Sequence, residues 1–356
     1  MISKKFFEAL DELVKEKGID RDVVIKAFEQ GIISAYRKNY GRENAEVRIE
    51  LRDKSNKILV FVTKEVVENV ENEATEISLE DALKHERNVE LGDKIDIEET
   101  PKDFKSFGRI AIQSAKQRVT QAVIEAERKL IFDEFKDREL DLITGLMNRR
   151  DEKNIYINLG RTDGILPIRE LLPNETFEPN SRMKVLISKV ENTTKGPLIF
   201  LSRVNPILIK RLFELEVPEV FEGIVEIKSV ARDAGERSKV MVHSNDENVD
   251  PIGACIGPNQ VRLNDIIKEI KGEKIDLALY SSDPKVLITN ALSPARVSAV
   301  LILDEKEKRS QVIVPNDQLS LAIGKRGQNA RLAHQLTGWK IDIKSEKDAN
   351  RLNIEY

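Results

Sequence analysis

One αβ unit occurs twice in the last third of the chain, and this duplication restricts the fold more than any other feature. The first copy reads as strands at 222–227 and 238–243, a Gly-Ala-Cys-Ile-Gly lead-in, a helix over 261–270 and a closing Gly272-Glu-Lys-Ile-Asp276. The second reads as strands at 299–304 and 311–314, a Leu-Ala-Ile-Gly lead-in, a helix over 328–336 and Gly338-Trp-Lys-Ile-Asp342. Gly257 and Gly324 stand 67 residues apart and the closing aspartates 66 apart, so the two copies stay nearly in phase. A period of that length implies tandem domains of one design.

The second copy carries the sharpest chemical signal, Gly324-Lys-Arg-Gly327 directly ahead of the amphipathic run Gln328, Asn329, Arg331, Leu332 and Leu336. Two glycines let the backbone approach a ligand or take positive φ, and the tetrad opens a helix whose free NH groups and dipole favour anions. This pattern matches the GxxG loop of KH domains, which clamps about four backbone nucleotides. A solvated basic turn would read the same way over four residues. The surroundings favour nucleic acid: residues 321–340 hold four cations, Lys325, Arg326, Arg331 and Lys340, and no acid.

That local excess matters because the whole chain, with 58 Lys plus Arg against 62 Asp plus Glu, is slightly acidic. Residues 1–135 hold 24 basic and 29 acidic residues, whereas 290–345 hold nine and five. Any affinity for nucleic acid must therefore rest on patches. The lone cysteine, Cys255, lies in an apolar run and reads as a small buried hydrophobe. No apolar run approaches 18 residues and no signal-peptide pattern occurs, so a cytoplasmic protein without membrane contact is expected.

Upstream, Ser3 and Asp20 can cap two helices, with Phe6, Leu10, Leu13 and Val14 on one face and Val24, Phe28, Ile32 and Ala35 on the other, before Gly41. Alternation at 47–51 and 58–62 around Asp53–Asn56 predicts a hairpin, Ser78 a capped helix and 93–98 a strand. From 107 to 135 a single long helix is expected, with Arg109, Lys116, Arg118, Arg128 and Lys129 on an ordinary solvated face. Five short strands follow at 142–147, 155–159, 164–167, 183–190 and 198–201, the pattern of an OB-fold barrel. Arg149, Arg150, Arg161 and Arg203 are available there for RNA, while Tyr156, Phe177 and Phe200 suit core packing as well as base stacking. Trp339 reads as core, and 345–356 as a short polar tail that frays.

Taken together the order is a multidomain α/β (α+β) chain. An N-terminal α/β domain with a long connecting helix is expected at 1–136, a five-stranded OB-fold β-barrel at 137–203, tandem KH domains at 204–279 and 280–346, and a tail at 347–356. This arrangement resembles the NusA family of bacterial transcription elongation and termination factors. The stretches that carry the resemblance are LSLAIGKRGQNARLA at 319–333, LTGWKIDIKSE at 336–346, GEKIDL at 272–277, NALSPARV at 290–297, ELEVPEV at 214–220 and ARDAGERSKVMV at 231–242. The resemblance implies type II KH domains, RNA polymerase as partner of the N-terminal domain, nascent single-stranded RNA on the barrel and KH surface, further Nus-type partners, and effects on pausing, intrinsic termination and antitermination. It implies RNA contacts at Gly324, Lys325, Arg326, Gly327, Gln328, Asn329 and Arg331. It extends them to Gly257, Pro258, Asn259, Gln260, Arg262, Arg232, Arg237 and Lys239 in the first KH unit, and to Arg161 and Arg203 in the barrel.

The first loop departs from the pattern, since Gln260 stands where relatives have the second glycine and Pro258 lacks an NH. Two readings follow: the loop has decayed as a clamp, or the Gln260 or Asn259 amide makes the contact instead. The acidic C-terminal repeats of some relatives do not appear, so inhibition by such a tail is not expected. Neither cofactor nor metal is expected, and a monomer is. His85, His243 and His334 are scattered, without HExxH, paired cysteines or a P-loop, which leaves no catalytic constellation. The alternatives are a free-standing RNA-binding protein or RNA chaperone, and an accessory subunit of an RNA-processing enzyme.

Overall fold

The computed structural model describes residues 11–354 apart from 13, 53–56 and 102–103, and not the side chains of 52, 57 and 104–108. The helix cap expected at Ser3, its face at Phe6, Leu10 and Leu13, and the Asp53–Asn56 turn lie outside those residues. The chain divides into two compact units, 1–131 and 132–356.

In the first unit Asp20 caps the helix Arg21–Tyr40 by accepting from Asp22 N at 3.0 Å, and Gly41 ends it in the left-handed region at φ 64°. Strands β1 (Glu46–Arg52) and β2 (Lys57–Val67) pair antiparallel. β2 also pairs with β4 (Lys94–Glu98) and, in parallel, with β3 (Glu76–Ser78). Ser78 caps the helix Leu79–His85 as its sequence implies. The core joins Phe28, Ile32 and Tyr36 to Val47, Ile49, Val60 and Val62, and closes on Ala111 and Ala115 of the long helix Phe104–Lys136. Packing is tight enough that a Cβ on Gly31 would lie 2.3 Å from Ala115 Cα. At 33 residues this helix is about 50 Å long, and its Ala111, Ala115 and Val123 belong to the cores of the N-terminal unit.

The second unit begins with a closed barrel of β5 (Leu142–Arg150), β6 (Asn154–Asn158), β7 (Asp163–Pro167), β9 (Gly196–Ser202) and β8 (Arg182–Thr193), in that order around the wall. All five expected strands are present, and the closed five-stranded barrel, with its parallel β7–β9 contact, is compatible with the OB-fold expected from the sequence. Two αββααβ units follow. The first has the helices Pro206–Glu216, Pro251–Ile256 and Val261–Glu269 on the sheet β10 (Val225–Asp233), β11 (Arg237–Ser244) and β12 (Lys274–Leu279). The second has Pro284–Ala291, Leu319–Ile323 and Gln328–Thr337 on β13 (Ala299–Asp304), β14 (Arg309–Val314) and β15 (Lys340–Ser345). In both sheets the first pair is antiparallel with one register shift and the second is parallel, so the duplication extends to strand register.

Three readings need correction. The first strand of the first copy starts at Val225, because Pro218–Phe221 forms a further short helix and Gly223 turns the chain at φ 75°. The helix Pro284–Ala291 was not anticipated. Residues 346–351 do not fray: Ser345 caps a helix there by accepting from Asp348 N at 3.2 Å, and Ala349 is fully buried. Trp339 and Cys255 are core, as expected, and burial pushes the Cys255 thiol up to about 12. One apolar cluster joins Leu142, Leu172 and Leu186 of the barrel to the first KH unit, and another joins Ala231, Met241 and Ala278 of the first unit to Leu332, Leu336 and Trp339 of the second.

Candidate nucleic-acid interface

Gly324 leaves the Leu319–Ile323 helix at φ 77° and ψ 170°, Arg326 follows at φ 54° and Gly327 at φ 74°, whereupon the Gln328–Thr337 helix starts without a side-chain cap. Gly324 has no alternative. A Cβ there would sit 2.7 Å from Asn329 N, so only glycine lets the loop lie against the helix start. Lys325 and Arg326 are exposed at the turn, and among the described residues neither enters an ion pair. Two unpaired cations on a bare helix N-terminus suit an anion. Net positive charge sits where backbone NH groups already point outward.

The first loop has the same shape despite its different sequence. Gly257 lies at φ 72° and ψ 172°, Asn259 at φ 52° and Gln260 at φ 61°, against 77°, 54° and 74° in the second loop. Gln260 is therefore held in the left-handed region that glycine would occupy freely, a strained arrangement for a side chain without local hydrogen bonding of the Asn type. Replacement of the second glycine by Gln260 leaves the backbone course of the loop unchanged. What the loop lacks is charge, since Pro258-Asn259 stands where Lys325-Arg326 stands in the second copy.

Beneath each loop lies a bracing residue rather than an exposed ligand. Asn329 is buried, its Nδ2 donating to Leu292 O at 3.1 Å and Ala322 O at 3.0 Å. Five residues after Gly257, Arg262 donates to Glu219 and to Ala254 O, each at 2.8 Å, and its chain packs under that glycine. Gln328 and Arg331 point away from this scaffold towards Asp233 of the first KH unit, each 2.7 Å from its Oδ2.

Four further cations expected on the RNA face belong elsewhere. Arg203 is buried and bonds Glu175, Lys184 O at 2.7 Å and both Oε1 and the backbone O of Glu269, at 3.0 and 2.8 Å, tying the barrel to the first KH unit. The side chains of Arg232 and Glu273 are fully buried as a pair, with Nη2 2.8 Å from Oε2. Lys239 is buried and donates to Ser293 O; desolvation holds its ammonium below the ordinary lysine range, against the opposing pull of Asp276. Arg237 is half-buried beside Asp276 at 2.9 Å. Burial of Arg203, Arg232 and Lys239 removes them from the accessible surface, and the pairing of Arg237 commits it to the fold. Arg161 is exposed, 3.2 Å from Glu134.

The barrel holds a pair that the sequence left ambiguous. Ile155 and Ile157 point inward, and Tyr156 between them faces out with the Arg149 guanidinium 3.8 Å above its ring and its hydroxyl donating to Asp151 at 2.9 Å. An outward tyrosine carrying a guanidinium suits base stacking. Strand alternation signalled its direction, but only the fold shows Arg149 lying over it.

A transcription termination/antitermination protein NusA from Bacillus subtilis is 53% identical to this chain over 353 residues, 99% of this chain and 94% of the relative. The chain belongs to the NusA family. Relatives of the same name from Halalkalibacterium halodurans and Thermus thermophilus are 52% and 41% identical, covering 99% and 96% of this chain and 91% and 89% of their own. The family models agree segment by segment: the NusA N-terminal domain matches 5–129, the NusA-like first KH domain 203–280 and the NusA-like second KH domain 284–351. The NusA second-KH match runs to Arg351 and so takes in the capped C-terminal helix.

Proposed function

We propose that this chain is a non-enzymatic transcription factor that acts in termination and antitermination, as the names of its relatives state, by engaging RNA polymerase through residues 1–131 and nascent single-stranded RNA through 132–356. The observation that carries the RNA half of this reading is the Gly324–Gly327 loop, with two unpaired cations on an uncapped helix N-terminus. Lys325 and Arg326 take phosphates, the Arg149–Tyr156 pair takes a base, and the second KH unit grips more strongly than the first because its loop alone is charged. The domains fall at 1–136, 137–203, 204–279 and 280–351, the last lengthened past 346 to include its closing helix. No helix among the described residues is long and apolar enough to cross a membrane; action in the cytoplasm as a monomer is part of the same proposal.

The core of the first unit extends along the long helix to Ala115 and Val123, so the test divides the chain beyond them, into 1–131 and 132–356. Core polymerase is expected to be retained by the full chain and by 1–131. RNA is expected to bind the full chain and 132–356, and only the full chain is expected to lengthen pauses. Pausing by 132–356 equal to that of the full chain would remove polymerase engagement from the N-terminal unit.

A further inference from the structure

The β10–β11 hairpin of the first KH unit holds two carboxylates against the phosphate loop of the second. Asp233 Oδ2 accepts from Gln328 Nε2 and from Arg331 Nη2, both at 2.7 Å, and Glu236 Oε2 accepts from Gln328 Nε2 at 2.9 Å. With Lys325 and Arg326 these four residues line a cleft of about 320 Å³. The hairpin is not a loose arm. Glu236 N donates to Asp233 O at 3.0 Å, Gly235 N donates to Glu273 at 2.9 Å, Lys274 N donates to Glu236 O at 3.2 Å, and Glu273 is the buried partner of Arg232.

The carboxylates therefore occupy the side of the clamp from which a phosphate would be met by Gln328 and Arg331. A strand seated on Lys325 and Arg326 would bring its phosphates beside Asp233 and Glu236, and like charges at that range repel. We propose that Asp233 and Glu236 form an anionic latch: they hold Gln328 and Arg331 in place of RNA, and a bound strand must displace them. This rests on the phosphate-clamp reading of Gly324–Gly327. The latch makes the first KH unit a negative regulator of the second, so affinity depends on how the two units are seated. Such exposed pairs add little to stability, and Ser229 Oγ, which donates to Leu336 O at 2.9 Å, and the shared apolar cluster hold the units together without them.

The test compares the full-length wild type with Asp233→Asn/Glu236→Gln, titrating a fluorescent 20-nucleotide single-stranded RNA over a salt series. The amides keep the size and can still accept hydrogen bonds, so the fold is retained. Affinity at 0.1 M salt is expected to rise about fivefold, and the slope of log K against log salt to steepen by about 0.7, as Arg331 gains a phosphate. In an Arg331→Ala background the steepening should vanish. Equal or weaker affinity in the double variant, where Lys325→Ala/Arg326→Ala does weaken binding, would show the contacts to be interdomain glue and overturn the latch. Wild-type affinity in Lys325→Ala/Arg326→Ala would instead sink the clamp, and the latch with it.

Discussion

Replacing Arg232 by alanine is expected to destabilise residues 132–356 by about 3–5 kcal/mol, the cost of leaving one member of a buried ion pair behind. Glu273 is fully buried and is bonded by Arg232, by Ser238 Oγ and by Gly235 N. Arg232 also donates to Asn205 O at 2.9 Å, at the cap of the Pro206–Glu216 helix. Removing the guanidinium leaves a carboxylate with two neutral donors and no countercharge, and frees the cap carbonyl. Urea denaturation measures the loss. Arg331→Ala, which breaks an exposed pair, should cost less than about 1 kcal/mol and serves as control. A small loss for Arg232→Ala, with a flatter salt dependence of RNA binding, would mean that Arg232 faces RNA after all.

The two glycines of the second loop should answer differently to the same substitution. At Gly324, φ 77° and ψ 170° lie in a region almost confined to glycine, and the new Cβ would meet Asn329 N at 2.7 Å and Asn329 Cβ at 2.8 Å. Gly324→Asp should therefore shift the helix start, loosen the bonds of Asn329 to Ala322 and Leu292, and cost about 1–3 kcal/mol of stability besides RNA affinity. Gly327, at φ 74° and ψ 14°, has nothing within 4 Å of a Cβ, and aspartate visits that region more readily than most residues. Gly327→Asp should keep the melting temperature within a few degrees yet weaken RNA binding at 0.1 M salt by at least about fivefold, the value of one single-strand phosphate contact. Equal melting losses for both variants would contradict the steric distinction between the glycines.

Local patterns were legible because their physics is local. The left-handed glycines, the Ser78 cap and the alternating barrel strands each depend on residues within a few positions of one another, and the duplicated unit shows because each copy repeats such local patterns in the same order. Arg203, Arg232 and Lys239 misled because a cation in sequence is identical whether it meets solvent or a carboxylate. Their partners are distant: Glu175 lies 28 positions before Arg203, Glu269 66 after it, and Glu273 41 after Arg232. The missed C-terminal helix did carry a signal, Ser345 and Asp348 at capping spacing, but only Ala349 of that turn is buried, so no apolar stripe drew attention to it. Gln260 shows the converse. Its residue type argued against the loop shape, yet Gln260 takes φ 61° and the packing of Gly257 on Arg262 goes with that shape all the same.

Phosphate contact by Lys325 and Arg326, as proposed above, is measured through the salt dependence of RNA binding. Titrating one single-stranded RNA against the full-length protein and Lys325→Ala/Arg326→Ala over a salt series gives two slopes of log K against log salt. Loss of two single-strand phosphate contacts predicts a slope flatter by about 1.4 and affinity at 0.1 M lower by about 25-fold. Coincident slopes for the two proteins would contradict it.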